Sequence, residues 1–325
     1  MADDLVSSNN RWHSDYQSRD FDILNYEEFR ISGCDVKFRG PGFDPFAAEK
    51  GSFFSCLGSA HTYGCYFPRP YPTLLATELG MPVLNLGVGG MGPGFYTEFD
   101  ALIEAMNRGR FVILQCMAAR QESNSRFLAD GHGEFVKDRL TGTSVTTGTA
   151  WKCIVDVEPS NALRYVAETR MSWIETSREL IERIKVPVIF LWFAQRNAAY
   201  PFHKAALEEQ LQARAEGKDD RYHIEALTGE FPHFVDDWTA GAVASMCDGQ
   251  ADCVSSRGMN QPIISQLSGE PIAGVSQEDA DARPELLGRV DGINRYYPSP
   301  EMHEDAAAAL LPVIHKVLQG AAERD

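Results

Sequence analysis

SFFSCLGSAHTYGCYFPRPYPTLLATELGMPVLNLGVGGMGP, residues 52–93, decides the fold. Its first apolar run, Phe53 to Leu57, is strand-length and stops at Gly58. Pro72 to Leu79 then carries apolar residues at helical spacing and meets a glycine, Gly80, where a helix commonly ends. A second short apolar run, Val83 to Leu86, opens into the turn Gly87-Val88-Gly89-Gly90. Strands that are apolar throughout are buried on both faces. With helices between them they imply a parallel sheet in an α/β domain.

The same rhythm continues outward. Phe99 to Arg108 reads as a helix closed by Gly109, Phe111 to Met117 as a third strand, Ala162 to Ile184 as a long amphipathic helix and Val186 to Phe193 as a fourth strand. Beyond Arg196 we expect helices at Ala205–Ala215 and Phe234–Met246, a short fifth strand at Cys253–Ser255, and a last helix from Pro300 to Leu318. Residues 1–50 read as an irregular lead-in with a short helix at Tyr26–Arg30, and Thr141–Thr149 as a flexible loop or exposed hairpin. The expected architecture is a three-layer α/β/α sandwich with a mostly parallel, five-stranded sheet. It forms one domain over 51–325, with insertions near 127–160 and 197–292.

The 325 residues are 44% hydrophobic and 23% charged, the balance of a globular protein. A net charge of -16 disfavours phosphate backbones and anionic lipid surfaces, so neither nucleic acid nor membrane is expected as a partner. The start, MADDLVSSNN, has no basic stretch followed by an apolar run, and no segment approaches ~18 consecutive apolar residues. A cytoplasmic protein is expected. The seven cysteines show no C-x-x-C spacing, so no metal site is expected, and no cofactor motif is complete. The glycine string at 87–92 lacks dinucleotide spacing, and no G-K-[ST] occurs. Cys247 and Cys253 flank a loop and could pair, although nothing implies an oxidising compartment.

Ligands of open parallel sheets bind beyond the carboxyl ends of the strands. That places Gly58-Ser59-Ala60-His61-Thr62, the Gly87–Gly90 turn, Arg120 to Asn124, Arg196-Asn197 and the loop Asn294–His303 on one edge. The blocks G-S-A-H-T-Y-G (58–64) and N-L-G-V-G-G (85–90), with Y-P-S-P-E-M-H (297–303) before the last helix, resemble those of SGNH/GDSL hydrolases. The likeness covers about two-thirds of the chain, mainly 52–125 and 160–320, and extends to an uncharacterised bacterial family that shares the altered blocks. In SGNH hydrolases G-D-S-x-T supplies the nucleophile, N-x-G-x-x-G an oxyanion-hole amide, and D-x-x-H-P the acid and base. Here Ala60 falls at the nucleophile, Asn294 at the acid and Tyr297 at the base, while Ala119 and Arg120 replace the Asn-Asp pair of the third block. Alanine cannot attack a carbonyl, and tyrosine, with a pKa near ~10, is a poor base at neutral pH.

The resemblance therefore implies the fold and a ligand site but not the triad. Ser59 reads either as a displaced nucleophile with His61 or His303 as base, or as a helix cap. Candidate ligand-binding residues are Gly58, Thr62, Gly87, Gly89, Gly90, Arg120, Asn124, Arg196, Asn294 and Tyr297, the arginines suiting an anionic group. The favoured function is binding of a small acyl- or carbohydrate-type molecule without hydrolysis. The alternatives are an ester hydrolase or acyl-transfer enzyme with a rearranged site, and a scaffold that works through its insertions. The sequence leaves the oligomeric state open.

Overall fold

Four of the apolar runs and the segment around the expected fifth strand become the strands of one parallel sheet: β1 (Phe54–Gly58), β2 (Val83–Gly87), β3 (Val112–Gln115), β4 (Val188–Ala194) and β5 (Gly249–Val254), the last beginning earlier than the expected Cys253–Ser255. They lie in the order β5-β4-β3-β1-β2. The four pairings are all parallel, with Cys56 opposite both Asn85 and Ile113, Leu114 opposite Phe190, and Leu191 opposite Ala251. The structure is a computed structural model that describes Asp20, residues 23–131, 133–199, 229–276, 278 and 289–322.

Among the described residues six helices of eight residues or more cover the sheet: α1 (Tyr71–Leu79), α2 (Asp100–Arg108), α3 (Thr147–Val157), α4 (Ala162–Arg183), α5 (Asp237–Ala244) and α6 (Pro300–Ala322). Successive strand residues point to opposite faces, and this divides the core in two. Phe53 and Leu57, Val112 and Leu114, and Phe190 and Trp192 pack with residues of α2, α3, α4 and α5. Phe54 and Cys56, Phe111 and Ile113, and Ile189, Leu191 and Phe193 face α1 and α6. Each such side chain, fully buried, stabilises the fold by about 1.5–3 kcal/mol. The three-layer α/β/α sandwich is thus the architecture expected from the sequence.

Three local expectations need correction or fall outside what is described. Tyr26–Arg30 is not a helix: Phe29 and Arg30 pair antiparallel with Phe38 and Lys37, because Phe29 packs against Phe38 and the main core. Ser144–Thr146 does form hairpin structure, as the last strand of a three-stranded antiparallel sheet with Phe127–Ala129 and Phe135–Asp138. The helix that follows at once, α3, was not anticipated. It starts where the Thr146 side chain accepts from the Thr149 amide, and it buries Trp151, Ile154 and Val155. The helix expected at Ala205–Ala215 lies outside the described residues.

All seven cysteines are free thiols, Cys247 and Cys253 included. Among the described residues no helix is long and apolar enough to cross a membrane.

Candidate functional site

In the order β2-β1-β3-β4-β5 the chain reverses direction across the sheet between β1 and β3, and the crevice at such a switch point is where α/β sheets place ligands. At the end of β1 the chain turns at once into a helical turn, Ala60–Tyr63, capped by Ser59. Two glycines allow this crowded junction. A side chain at Gly58 would collide with Thr62 Oγ1 and Gln115 Oε1, and one at Gly87 with the Tyr63 amide nitrogen.

The junction is then locked by hydrogen bonds. Tyr96 Oη accepts from the Gly58 amide at 3.0 Å and lies 2.9 and 2.8 Å from the Gly58 and Leu86 carbonyls, pinning β1 to β2. Asn85 Nδ2 donates to Thr62 O at 2.9 Å while its Oδ1 accepts from the Gly87 amide at 3.0 Å. Gln115 Oε1 accepts from the Ser59 amide at 2.9 Å, from Ser59 Oγ at 3.2 Å and from Thr62 Oγ1 at 3.4 Å.

A small cleft opens over this junction, with about 30 Å3 of free space, room for one or two waters. The β1 turn contributes Ser59, Ala60 and His61, and the β2 turn Gly90 and Met91. Ala118, Arg120 and Gln121 follow β3, and Glu134, Phe231, His233 and Tyr296 arrive from later segments. His61 stacks on Phe231 with ring centroids 4.0 Å apart and meets the Phe193 ring edge-on at 5.6 Å. His233 Nδ1 lies 2.7 Å from Gly229 O. A carbonyl only accepts, so Nδ1 carries the proton and neutral His233 keeps Nε2 as an acceptor.

Burial, and then the neighbouring His233, push the His61 pKa down to about 3. Burial, and then Arg120, do the same for His233. Both rings are therefore uncharged at neutral pH. Among the described residues Arg120 is the cation of the lining, and its ionic neighbour is Glu134 at 3.8 Å.

Of the residues singled out in the sequence, Ser59, His61, Gly90 and Arg120 meet in the cleft. The hydrogen-bond partners of Ser59 Oγ are Gln115 and the His61 amide, not a histidine ring. His303 is fully buried behind the cleft. Its Nδ1 accepts from the Tyr71 amide at 3.3 Å, so the neutral ring carries its proton on Nε2. Burial, and then His61, lower its pKa to about 3.

The others are held in the framework. Arg196 donates to the carbonyls of Glu230, Asn197, Pro232 and Val235, and so clamps the loop bearing Phe231 and His233. Asn124 Oδ1 accepts from the Arg126 and Phe127 amides while its Nδ2 donates to Thr169. Asn294 ties the Tyr296 and Tyr297 amides and the Tyr297 carbonyl into a turn that presents Tyr296. Tyr297 itself is buried against Tyr66. The Gly87 amide is taken by Asn85, Thr62 is fully buried, and Gly89 does not line the cleft.

Sequence reasoning placed Gln121 on the edge within 120–124 but missed Glu134, Phe231 and His233. The one available signal was the aromatic and histidine cluster around a proline, Phe231-Pro232-His233-Phe234. Among the described residues no group of His, Cys, Asp and Glu is arranged to hold a metal ion.

Fold and cleft define an α/β protein with a five-stranded parallel sheet and a small polar crevice at its topological switch point. The family described as a domain of unknown function, DUF6473, matches residues 15–130, which include β1, β2, β3 and the first cleft residues. No curated protein matches the chain. Among solved structures, an extracellular lipase from Streptomyces rimosus is 12% identical, with a TM-score of 0.37, over 82% of this chain and 100% of its own. An acetylxylan esterase from Geobacillus stearothermophilus is 12% identical, with a TM-score of 0.34, over 82% and 96%. A putative lipolytic protein of the G-D-S-L family from Desulfitobacterium hafniense is 13% identical, with a TM-score of 0.27, over 80% and 100%. At these identities and scores the likenesses do not bear on activity.

Proposed function

We propose that the chain binds a small acyl- or carbohydrate-type molecule in the switch-point cleft and does not hydrolyse it. The observation that carries this reading is the bonding of Ser59. Its hydroxyl serves Gln115 and the cap of the Ala60–Tyr63 turn, and its recorded partners include neither histidine ring. Nucleophilic serine catalysis needs a base within hydrogen-bond reach of the hydroxyl and a third group orienting that base. Here His61 is packed between Phe231 and Phe193, and His233 is oriented by a carbonyl rather than a carboxylate. Alanine lines the cleft at position 60.

What remains suits recognition. Arg120 and the Tyr296 hydroxyl can donate, neutral His233 and Glu134 can accept, and Met91 and Phe231 supply apolar walls. Hydroxyl-bearing ligands need this mixture of donors and acceptors.

The test is saturation-transfer NMR on the full chain with 1-O-acetyl-xylose and xylose as probes, followed by inspection of the ester after prolonged incubation. Protein-dependent transfer to the probe with the acetyl ester intact, unchanged in Ser59→Ala, is the expected result. Acetate release that the chain catalyses and Ser59→Ala abolishes would refute the reading.

A further inference from the structure

Arg120, whose side chain is 27% exposed on the cleft wall, is set apart from the arginines that the fold buries by what it lacks. Arg39 donates to the carbonyls of Tyr63, Gly64 and Phe67 and lies 4.9 Å from the Tyr26 ring and 5.8 Å from the Tyr63 ring. Arg126 is paired with Asp138 and Glu158, and Arg196 with four carbonyls. A guanidinium has five N–H donors in a planar fork. Among the described residues no hydrogen bond is recorded from the Arg120 fork, only the loose ion pair with Glu134 at 3.8 Å. The Arg120 main chain, by contrast, is fixed, since its carbonyl accepts from Trp151 Nε1 at 2.9 Å. The result is a positioned, under-used cation on the wall of a cleft whose two histidines are uncharged.

We propose that Arg120 anchors a free carboxylate, so that the ligand of this cleft is an organic acid, with Glu134 as the resident counter-ion that the ligand displaces. This rests on the reading of the cleft as a binding site and names the chemical class of its occupant. A carboxylate is planar and offers two parallel acceptors to the guanidinium fork. The free space of the cleft, about 30 Å3, fits one such group, and the rest of the acid would extend beyond it along lining that includes Tyr296 and Phe231. A tetrahedral oxyanion carries more oxygens than the Arg120 fork and the Tyr296 hydroxyl can serve, and neutral His233 presents only an acceptor. Glu134 precedes the Phe135–Asp138 strand, and its side chain is 36% exposed. A ligand carboxylate can therefore take its place without leaving a buried charge unpaired.

Isothermal titration of the full chain with sodium butyrate, butyramide and sodium sulfate, at one ionic strength and pH 7.5, tests the assignment. Butyrate is expected to bind at least tenfold more tightly than butyramide or sulfate. Arg120→Met should lose at least tenfold for butyrate with an unchanged thermal midpoint, and Glu134→Gln should gain severalfold. Butyramide binding as well as butyrate, with Arg120→Met indifferent, overturns the carboxylate anchor and leaves the wider ligand-binding reading standing. Sulfate binding as well as butyrate overturns the carboxylate class. Failure of these three probes and of the acetylated and free xyloses overturns both.

Discussion

Replacing Gln115 by methionine should unlock the β1 junction. Gln115 is fully buried at the end of β3, and one oxygen serves three donors, at 2.9, 3.2 and 3.4 Å. One of these donors keeps other partners: Thr62 Oγ1 also meets Tyr71 Oη at 3.0 Å and Leu57 O at 3.4 Å, whereas Ser59 Oγ would be left only accepting from the His61 amide. Among the described residues the buried Ser59 amide has no second acceptor. Orphaning it costs about 1–3 kcal/mol, and the lost hydroxyl bond adds about 1 kcal/mol. Methionine is close to glutamine in volume, so cavity and strain terms stay small. The expected destabilisation is about 2–4 kcal/mol, a sizeable part of the ~5–15 kcal/mol of a typical domain. Urea unfolding followed by tryptophan fluorescence reads it as a lower midpoint at unchanged slope. A midpoint equivalent to less than ~0.5 kcal/mol of change would refute the role of Gln115 as the lock.

Glu122 is buried with Oε1 unpartnered among the described residues, and burial raises its pKa to about 7 from 4.5. The folded state then holds a proton that the unfolded chain releases, so this group lowers stability as pH rises from 4.5 through 7, by about 3 kcal/mol in all. Glu122→Gln should abolish that loss, seen as a variant that gains on wild type in urea midpoints between pH 5 and pH 8. His303 has the opposite sign. Its folded pKa of about 3 lies below the ordinary 6.5, so stability falls as pH drops through that window. His303→Asn, which keeps an acceptor for the Tyr71 amide, should make the acid limb shallower by one proton, about 1.4 kcal/mol per pH unit. Arg196→Met should free the Phe231–His233 loop, cost about 2–4 kcal/mol, and increase amide exchange at 230–235; unchanged exchange there would show that the clamp is not needed.

Four of the five strands were legible because they are buried on both faces, whereas the edge strand β5 alternates and was placed only near its end. Runs such as Val188–Ala194 are apolar from end to end, and glycines such as Gly80 and Gly109 mark the helix ends. α3 was not legible, since its first turn, Thr147-Gly148-Thr149, carries loop chemistry, and its apolar face emerges only at Ala150, Trp151, Ile154 and Val155. The hairpin at Phe29 was misread because tertiary contacts with Phe38 override local helix preference.

At the site, topology located the edge and the β1 turn, but residue type could not separate framework from lining. Arg120 and Arg196 each follow a strand. Only the carbonyls of the 230–235 loop, distant in sequence, decide that Arg196 is a clamp and Arg120 is open. Glu134, Phe231 and His233 lie in the segments read as insertions, and no local pattern reveals where an insertion folds back.

The most direct test of the central claim is a crystal structure of the chain soaked with 1-O-acetyl-xylose and, separately, with sodium butyrate. The account predicts an intact ligand over Ser59, Ala60 and His61, with the butyrate carboxylate on the Arg120 guanidinium and Glu134 turned away. An acetyl group covalently attached to Ser59 Oγ, or a ligand bound elsewhere with the cleft unchanged, would contradict it.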